Sequence, residues 1–195
     1  MLRIGITGCI GSGKTTVSEI FMQLGVPVYI ADLRAKDLMV SSPDLVAEIK
    51  NIFGVESYSD HGSLNRKFIS KLAFKDRNLL EKLNTLVHPA VNKDFSEWCE
   101  LNSHKPYVIK EAALMFESDS YKQVDQVIVV TAPENLRIER TMKRDKISKE
   151  EVLLRMKNQL TQEEKLARGN FEIKNDEVEL VIPQVLKLHK IFSVK

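Results

Sequence analysis

Apolar positions along the chain alternate between short compact runs and longer stretches in which they recur every three or four residues, the pattern of βαβ units around a mostly parallel sheet. Residues 2–7 form the first compact run and predict a strand. From Thr15 onward, Val17, Ile20, Phe21 and Leu24 share one face of a helix, and Gly25 supplies its stop. A second strand is expected at 26–30. Between 33 and 101 the periodicity is helical, with Pro89 at a first helical position and Val91, Phe95 and Trp98 in a stripe behind it. Residues 107–111 and 124–131 are β-branched runs entered from polar residues, and each predicts a buried strand. A helix is expected from Pro133 to about Asp145. Ser148 with Glu151, and Thr161 with Glu164, have the spacing of capping boxes and predict two further helix starts. Residues 171–173 predict a last strand and 177–192 a closing helix.

Composition narrows what such a chain does. At 195 residues and 43% hydrophobic, it supports one substantial core with insertions rather than two large domains. The 29 Lys and Arg against 27 Asp and Glu leave a formal charge of +2, so no bulk field holds nucleic acid or an anionic membrane, and any anion must be met locally. Of the two cysteines, Cys9 falls in a glycine-rich loop, which argues against a structural disulfide and fits a reducing compartment. Apolar runs such as 127–130 are too short to span a bilayer, and the N-terminus opens into a motif rather than a signal peptide. The expectation is a cytoplasmic, soluble protein, a monomer or small homo-oligomer without nucleic-acid or membrane partners.

The strongest chemical signal is Gly8-Cys9-Ile10-Gly11-Ser12-Gly13-Lys14-Thr15, which matches the phosphate-loop pattern G-x-x-x-x-G-K-[ST] at every defined position. A strand before it and an amphipathic helix after it converge backbone N–H groups and the positive helix end on one anion. Glycines at 8, 11 and 13 allow close approach, Lys14 reaches the β- and γ-phosphates, and the Thr15 hydroxyl completes a Mg²⁺ shell. Ser12 and Thr16 belong to the same nucleotide-binding stretch. Cys9 occupies a variable position and reads as inert. The guanine-selecting N-K-x-D tetrad of GTPase switches does not occur, and a motor needs far more chain. ATP is therefore the expected phosphoryl donor to a small molecule.

Other residues must supply the cations, the base and the acceptor site. Arg137, Arg140 and Arg144 recur along one face of the expected helix, with Lys143, Lys146 and Arg155 nearby. Arg137 alone reads as part of a solvated basic face, whereas Arg140 and Arg144 read as lid arginines over a transferring phosphoryl group. Asp32 follows the second strand at the carboxyl edge of the sheet, where it serves either as a base for the acceptor hydroxyl or as a helix N-cap. Glu111 ends a strand as a Mg²⁺-orienting acid or as an ordinary surface acid. His88 before Pro89 reads as a loop or helix-entry residue rather than a catalyst.

These residues also carry a resemblance, over nearly the whole length, to the dephospho-coenzyme A kinase family. Residues 6–15 resemble its opening signature, and Ala31-Asp32 the end of its Asp-Ala-Asp motif, with Ile30 in place of the first acid. Leu64-Asn65-Arg66 and His88-Pro89 resemble its acceptor-binding region, and Leu114-Met115-Phe116-Glu117 its Leu-Leu-Phe-Glu stretch. Residues 140–145 with Arg155 and Gln159 resemble its lid, and Ile173-Lys174-Asn175 its adenine-contacting end. Ala113, Glu111 and Gly169-Asn170 stand where proline, Asp and Ala-Asp are usual. The resemblance implies a phosphate-loop three-layer α/β/α fold with a mostly parallel five-stranded sheet. It further implies a core at about 1–32, 104–135 and 168–195, a helical acceptor-binding insertion at about 33–103 and a helical lid at about 136–167. The implied substrates are ATP and dephospho-coenzyme A, with Asp32 as base, Lys14, Arg140 and Arg144 on the phosphates, Asn175 near the nucleotide, Arg66, His88 and Glu117 at the acceptor, and Thr15 and Glu111 toward Mg²⁺.

Overall fold

The computed structural model describes residues 1–194; Lys195, the last position of the expected core segments, lies outside the described residues. Five strands, β1 (Leu2–Thr7), β2 (Val28–Ile30), β3 (Tyr107–Glu111), β4 (Gln126–Thr131) and β5 (Phe171–Lys174), form one sheet in the order β2-β3-β1-β4-β5. Every pairing is parallel, so the mostly parallel sheet read from the pattern is parallel throughout. Register aligns the strand ends: Ile30 and Ile6 both pair with Glu111, and Thr131 pairs with Lys174. The segments leaving β1, β3, β4 and β5 therefore start from one edge, the place where open α/β sheets take ligands.

The helices are α1 (Lys14–Gln23), α2 (Ala31–Ser41), α3 (Pro43–Phe53), α4 (Arg66–Lys75), α5 (Arg77–Leu101), α6 (Glu134–Asp145), α7 (Lys149–Met156), α8 (Gln162–Arg168) and α9 (Val181–Ser193). The chain divides into two compact units, Met1–Ile30 with Cys99–Lys195, and Ala31–Trp98. In the first, Ile4, Ile6 and Val130 pack against Val17 and Phe21 of α1 and Leu188 of α9. On the opposite face a side chain added at Gly5 meets Met115 Sδ, and one at Gly169, just past α8, meets Val129. Because both faces are covered, β3 is buried at all five positions, which is why its run lacks polar alternation.

Several boundaries differ from the expected ones for local reasons. β2 begins at Val28 rather than 26, since the Val26 amide still donates to Phe21 O and Pro27 has no N–H to offer a ladder. β4 begins at Gln126, because Asp125 is occupied in a reciprocal pair: its amide donates to Arg3 O at 2.8 Å and its carboxylate accepts from Arg3 N at 2.7 Å. The closing helix starts at Val181, since Glu177 has φ 68° and Asp176 Oδ1 accepts from the amides of Val178 and Glu179 in a turn. Both capping boxes form, at Ser148–Glu151 and Thr161–Glu164.

The second unit is helical. Ser42 caps α3, with Pro43 at its first position, and Gly54 ends it at φ 86°. Leu45, Ile49 and Phe53 form its buried face. Pro89 lies inside α5 rather than at a helix start. The helix continues because Val87, Val91, Phe95 and Cys99 recur four apart and are all buried, so packing along one stripe outweighs the single backbone bond the proline removes.

Candidate phosphate-binding site

Residues 8–13 leave β1 and turn straight into α1. Gly11 and Gly13 hold φ of 77° and 91°, a region costly for side-chain-bearing residues. Space imposes glycine as well. A Cβ at Gly11 meets the Arg137 carbonyl and Thr141 Oγ1, and one at Gly13 meets Asn175 Nδ2. Gly13 is the N-cap of α1, no side chain bonds to the cap, and the first turn carries no acid. The opening amides of α1, including those of Lys14, Thr15 and Thr16, thus lie at the positive end of the helix dipole, which favours an anion. The Ser12 hydroxyl is buried without a protein partner, an orphaned polar atom in the cradle itself. Lys14 Nζ folds back to donate to Gly8 O at 3.0 Å and Cys9 O at 3.4 Å. Cys9 is buried, and burial pushes its thiol pKa up, so it is a poor nucleophile.

α6 supplies three arginines with three different settings. Arg137 is 6% exposed, and its Nε donates to Ala132 O at 3.1 Å. The expected solvated basic face is therefore corrected at this position: Arg137 is interior, and its own carbonyl backs Gly11. Arg140 donates from Nη1 to Asn175 O at 3.0 Å and pairs with Glu177 at 2.9 Å. Asn175 Nδ2 in turn donates to Ser12 O at 2.9 Å, so Arg140, Asn175 and the phosphate loop are linked. Arg144, with a 62% exposed side chain, pairs with Asp145 at 2.7 Å, as does Arg155. The bond from Arg144 holds the Asp145 carboxyl below its usual pKa.

Glu111 is 7% exposed at the end of β3, which removes the reading as a surface acid. Among the described residues no group of three His, Cys, Asp or Glu forms a metal cage. A magnesium ion carried on nucleotide phosphates needs only one or two protein oxygens, and the Thr15 hydroxyl with the Glu111 carboxylate fits that donor set. Glu117, which the resemblance assigns to the acceptor, has both carboxylate oxygens on Lys165 Nζ, at 2.7 and 3.0 Å. The cause is burial: the Lys165 side chain is 0% exposed and its charge requires a partner.

Three expected site residues belong to the helical unit. Asp32 is exposed in the first turn of α2, two residues beyond the end of β2, so it lies inside the helix and not at the N-cap. Arg66 opens α4 behind its cap Asn65 and lines a depression of about 520 Å³ with Val40, Leu64 and Lys67. His88 sits within α5, neither in a loop nor at a helix entry. Sequence reasoning missed Lys165 and the roles of Gln159 and Gln162. Gln159 Oε1 accepts from Ile10 N at 2.9 Å and Gln162 Oε1 from Ala132 N at 3.1 Å. No periodicity or motif marks a polar side chain that bonds to a distant backbone amide.

A family model described as Dephospho-CoA kinase matches residues 2–179. A Bacteroides fragilis protein named Dephospho-CoA kinase is 36% identical over 187 residues, covering 96% of this chain and 91% of the relative. A Thermus thermophilus crystal structure superposes with a TM-score of 0.84 at 32% identity, over 97% of this chain and 96% of the other. A dephospho-CoA kinase from Campylobacter jejuni superposes with a TM-score of 0.73 at 26% identity, over 98% and 96% of the two chains.

Proposed function

Because the chain belongs to the dephospho-CoA kinase family, ATP-dependent phosphorylation of dephospho-coenzyme A is its activity, and we propose how its residues divide that work. The amides at the head of α1 and the Lys14 ammonium bind the β- and γ-phosphates. Lys14 moves to them from its parking place on Gly8 O and Cys9 O. Asp32 accepts the proton of the ribose 3′-hydroxyl, whose oxygen forms the new bond to the γ-phosphorus as the bond to ADP breaks. Arg140 and Arg144 neutralise the charge on the transferring group, exchanging Glu177 and Asp145 for phosphoryl oxygens. Asn175 borders the nucleotide, and Arg66 and His88 hold the acceptor. Glu117 contributes by fixing the segment around it. Thr15 and Glu111 would hold Mg²⁺, which supplies charge neutralisation on the phosphates when bound.

The observation that carries this reading is the conjunction of a phosphate loop whose glycines are sterically required with an uncapped helix start. We place the protein in the cytoplasm, as a monomer or small homo-oligomer; no described helix is long and apolar enough to cross a membrane. The test is coupled ADP release with dephospho-coenzyme A, with product mass and phosphate position read afterwards. ADP release that requires dephospho-coenzyme A, with phosphate on the 3′-oxygen, supports the scheme. Turnover with a nucleoside monophosphate instead would show that the acceptor assignment is wrong.

A further inference from the structure

The phosphate loop is gripped from behind by the turn between α7 and α8. Ile10 N donates to Gln159 Oε1 at 2.9 Å, and Cys9 Sγ approaches Leu160 O at 3.6 Å. That turn is itself fixed: Leu160 N donates to Glu117 Oε1 at 2.9 Å, and Glu117 is locked by Lys165, which also donates to Ala113 O at 3.1 Å. From Ala113 through Lys165 and Glu117 to the Leu160 amide, and from its chain neighbour Gln159 onward, the bonds end on one peptide of the loop.

That peptide has a defined task. A trans peptide is planar, with N–H and C=O pointing in opposite directions, so holding Ile10 N–H aims the Cys9 carbonyl the other way. Cys9 O accepts from Ser12 N at 3.1 Å, closing the turn, and from Lys14 Nζ at 3.4 Å. One side-chain oxygen thus sets the plane on which the loop turn closes and on which Lys14 rests before nucleotide arrives.

We propose that Gln159 is a positioning residue for ATP: by holding the Cys9–Ile10 peptide plane it keeps the loop in its anion-receiving shape before nucleotide arrives. The proposal rests on the phosphate-loop reading given above. It predicts a loss specific to ATP, because preorganisation lowers the cost of binding without touching the acceptor.

Gln162 provides an internal control. It makes the same kind of bond, a side-chain oxygen accepting a backbone amide, three residues along the chain, but to Ala132 rather than to the loop. Gln159→Leu removes the acceptor at nearly constant size and is expected to raise the KM for ATP about tenfold, with the KM for dephospho-coenzyme A within about twofold of wild type. Gln162→Leu is expected to lower Tm comparably while leaving the KM for ATP within about twofold. ATP-induced thermal shifts of both proteins give the same comparison without turnover. If Gln159→Leu does not fold, Gln159→Asn retracts the acceptor by one methylene without exposing a new apolar group, and a KM for ATP raised about threefold or more supports the assignment. Equal KM changes in the Gln159 and Gln162 variants, or an unchanged KM in whichever Gln159 variant folds, overturn the positioning role alone. Wild-type protein with no ATP-induced shift would overturn it together with the phosphate-loop reading.

Discussion

The two units handle polar groups in opposite ways. In the unit that carries the phosphate loop, Lys110, Glu111, Arg137 and Lys165 are all buried, as are the hydroxyls of Thr7, Ser12, Ser18, Thr131 and Thr141. Among the described side chains of Ala31–Trp98 the corresponding set is Ser57 alone, and Asp32 and Arg66 are exposed. A site of backbone amides and interior charges must be shaped before its ligand arrives, because an interior charge keeps its partners only while the packing around it holds. Exposed side chains on helices carry no such requirement. Changes at the buried polar groups of the first unit should therefore register in stability, and changes at the exposed Asp32 and Arg66 in function alone.

Two substitutions within the reaction itself test that contrast most strongly. Lys14→Ala removes the one ammonium the loop holds ready and should lower kcat/KM by on the order of 10⁴ with the far-ultraviolet circular dichroism unchanged. Wild-type-like turnover would end the phosphate-loop assignment. Asp32→Asn should lower kcat about 10³-fold while the KM for ATP stays near its wild-type value. Because Asp32 is exposed, its stability change should stay within roughly 0.5 kcal/mol. An unchanged kcat would leave Asp32 no more than a helix-start acid.

The same contrast explains what the chain discloses before folding. All five strands, the phosphate loop and both capping boxes are legible because each rests on local spacing: β-branched runs, glycines at fixed offsets, a hydroxyl three residues before an acid. Pro89 misled because a local rule, proline at helix starts, was overruled by a stripe of buried residues extending on both sides of it. Arg137 misled more deeply, and Lys165 passed unmarked. Nothing beside them in sequence distinguishes a lysine that is 0% exposed from a solvated one; the distinction lies in Glu117, 48 positions away. Asp32 stood undecided on its residues and His88 read as a loop or helix-entry residue, and family resemblance gave them roles that their spacing does not.

The buried pair sharpens the comparison next. Lys165→Met leaves the Glu117 carboxylate beside an apolar group and should cost about 3–5 kcal/mol, a Tm fall of about 10 °C for a chain of this size. Adding Glu117→Gln neutralises the stranded charge and should return at least half of the loss. A single variant no less stable than wild type would mean that the pair is not what fixes the turn behind the loop.

Lys110 gives the smallest effect and the one with a sign. Its side chain is fully buried in β3, where Nζ donates to Gln123 Oε1 at 2.6 Å, and burial lowers its pKa from 10.5 to about 8. Below pH 8 both folded and unfolded chains carry the proton, and the fold bears the cost of an interior cation. Between about pH 8 and 10.5 the folded chain has released that proton while the unfolded chain retains it. The unfolded state then binds more protons, so stability contributed by this group rises with pH across that window and levels off above it. At 1.36 kcal/mol per pKa unit the gain is roughly 3 kcal/mol. Urea titrations of wild type and Lys110→Met at pH 7.5, 9 and 10.5, both in a Cys99→Ala background that removes the thiol coupled to Lys110, isolate it. Wild type should gain on the variant as pH rises; parallel curves would mean that the Lys110 ammonium is as well solvated as one on the surface of the helical unit.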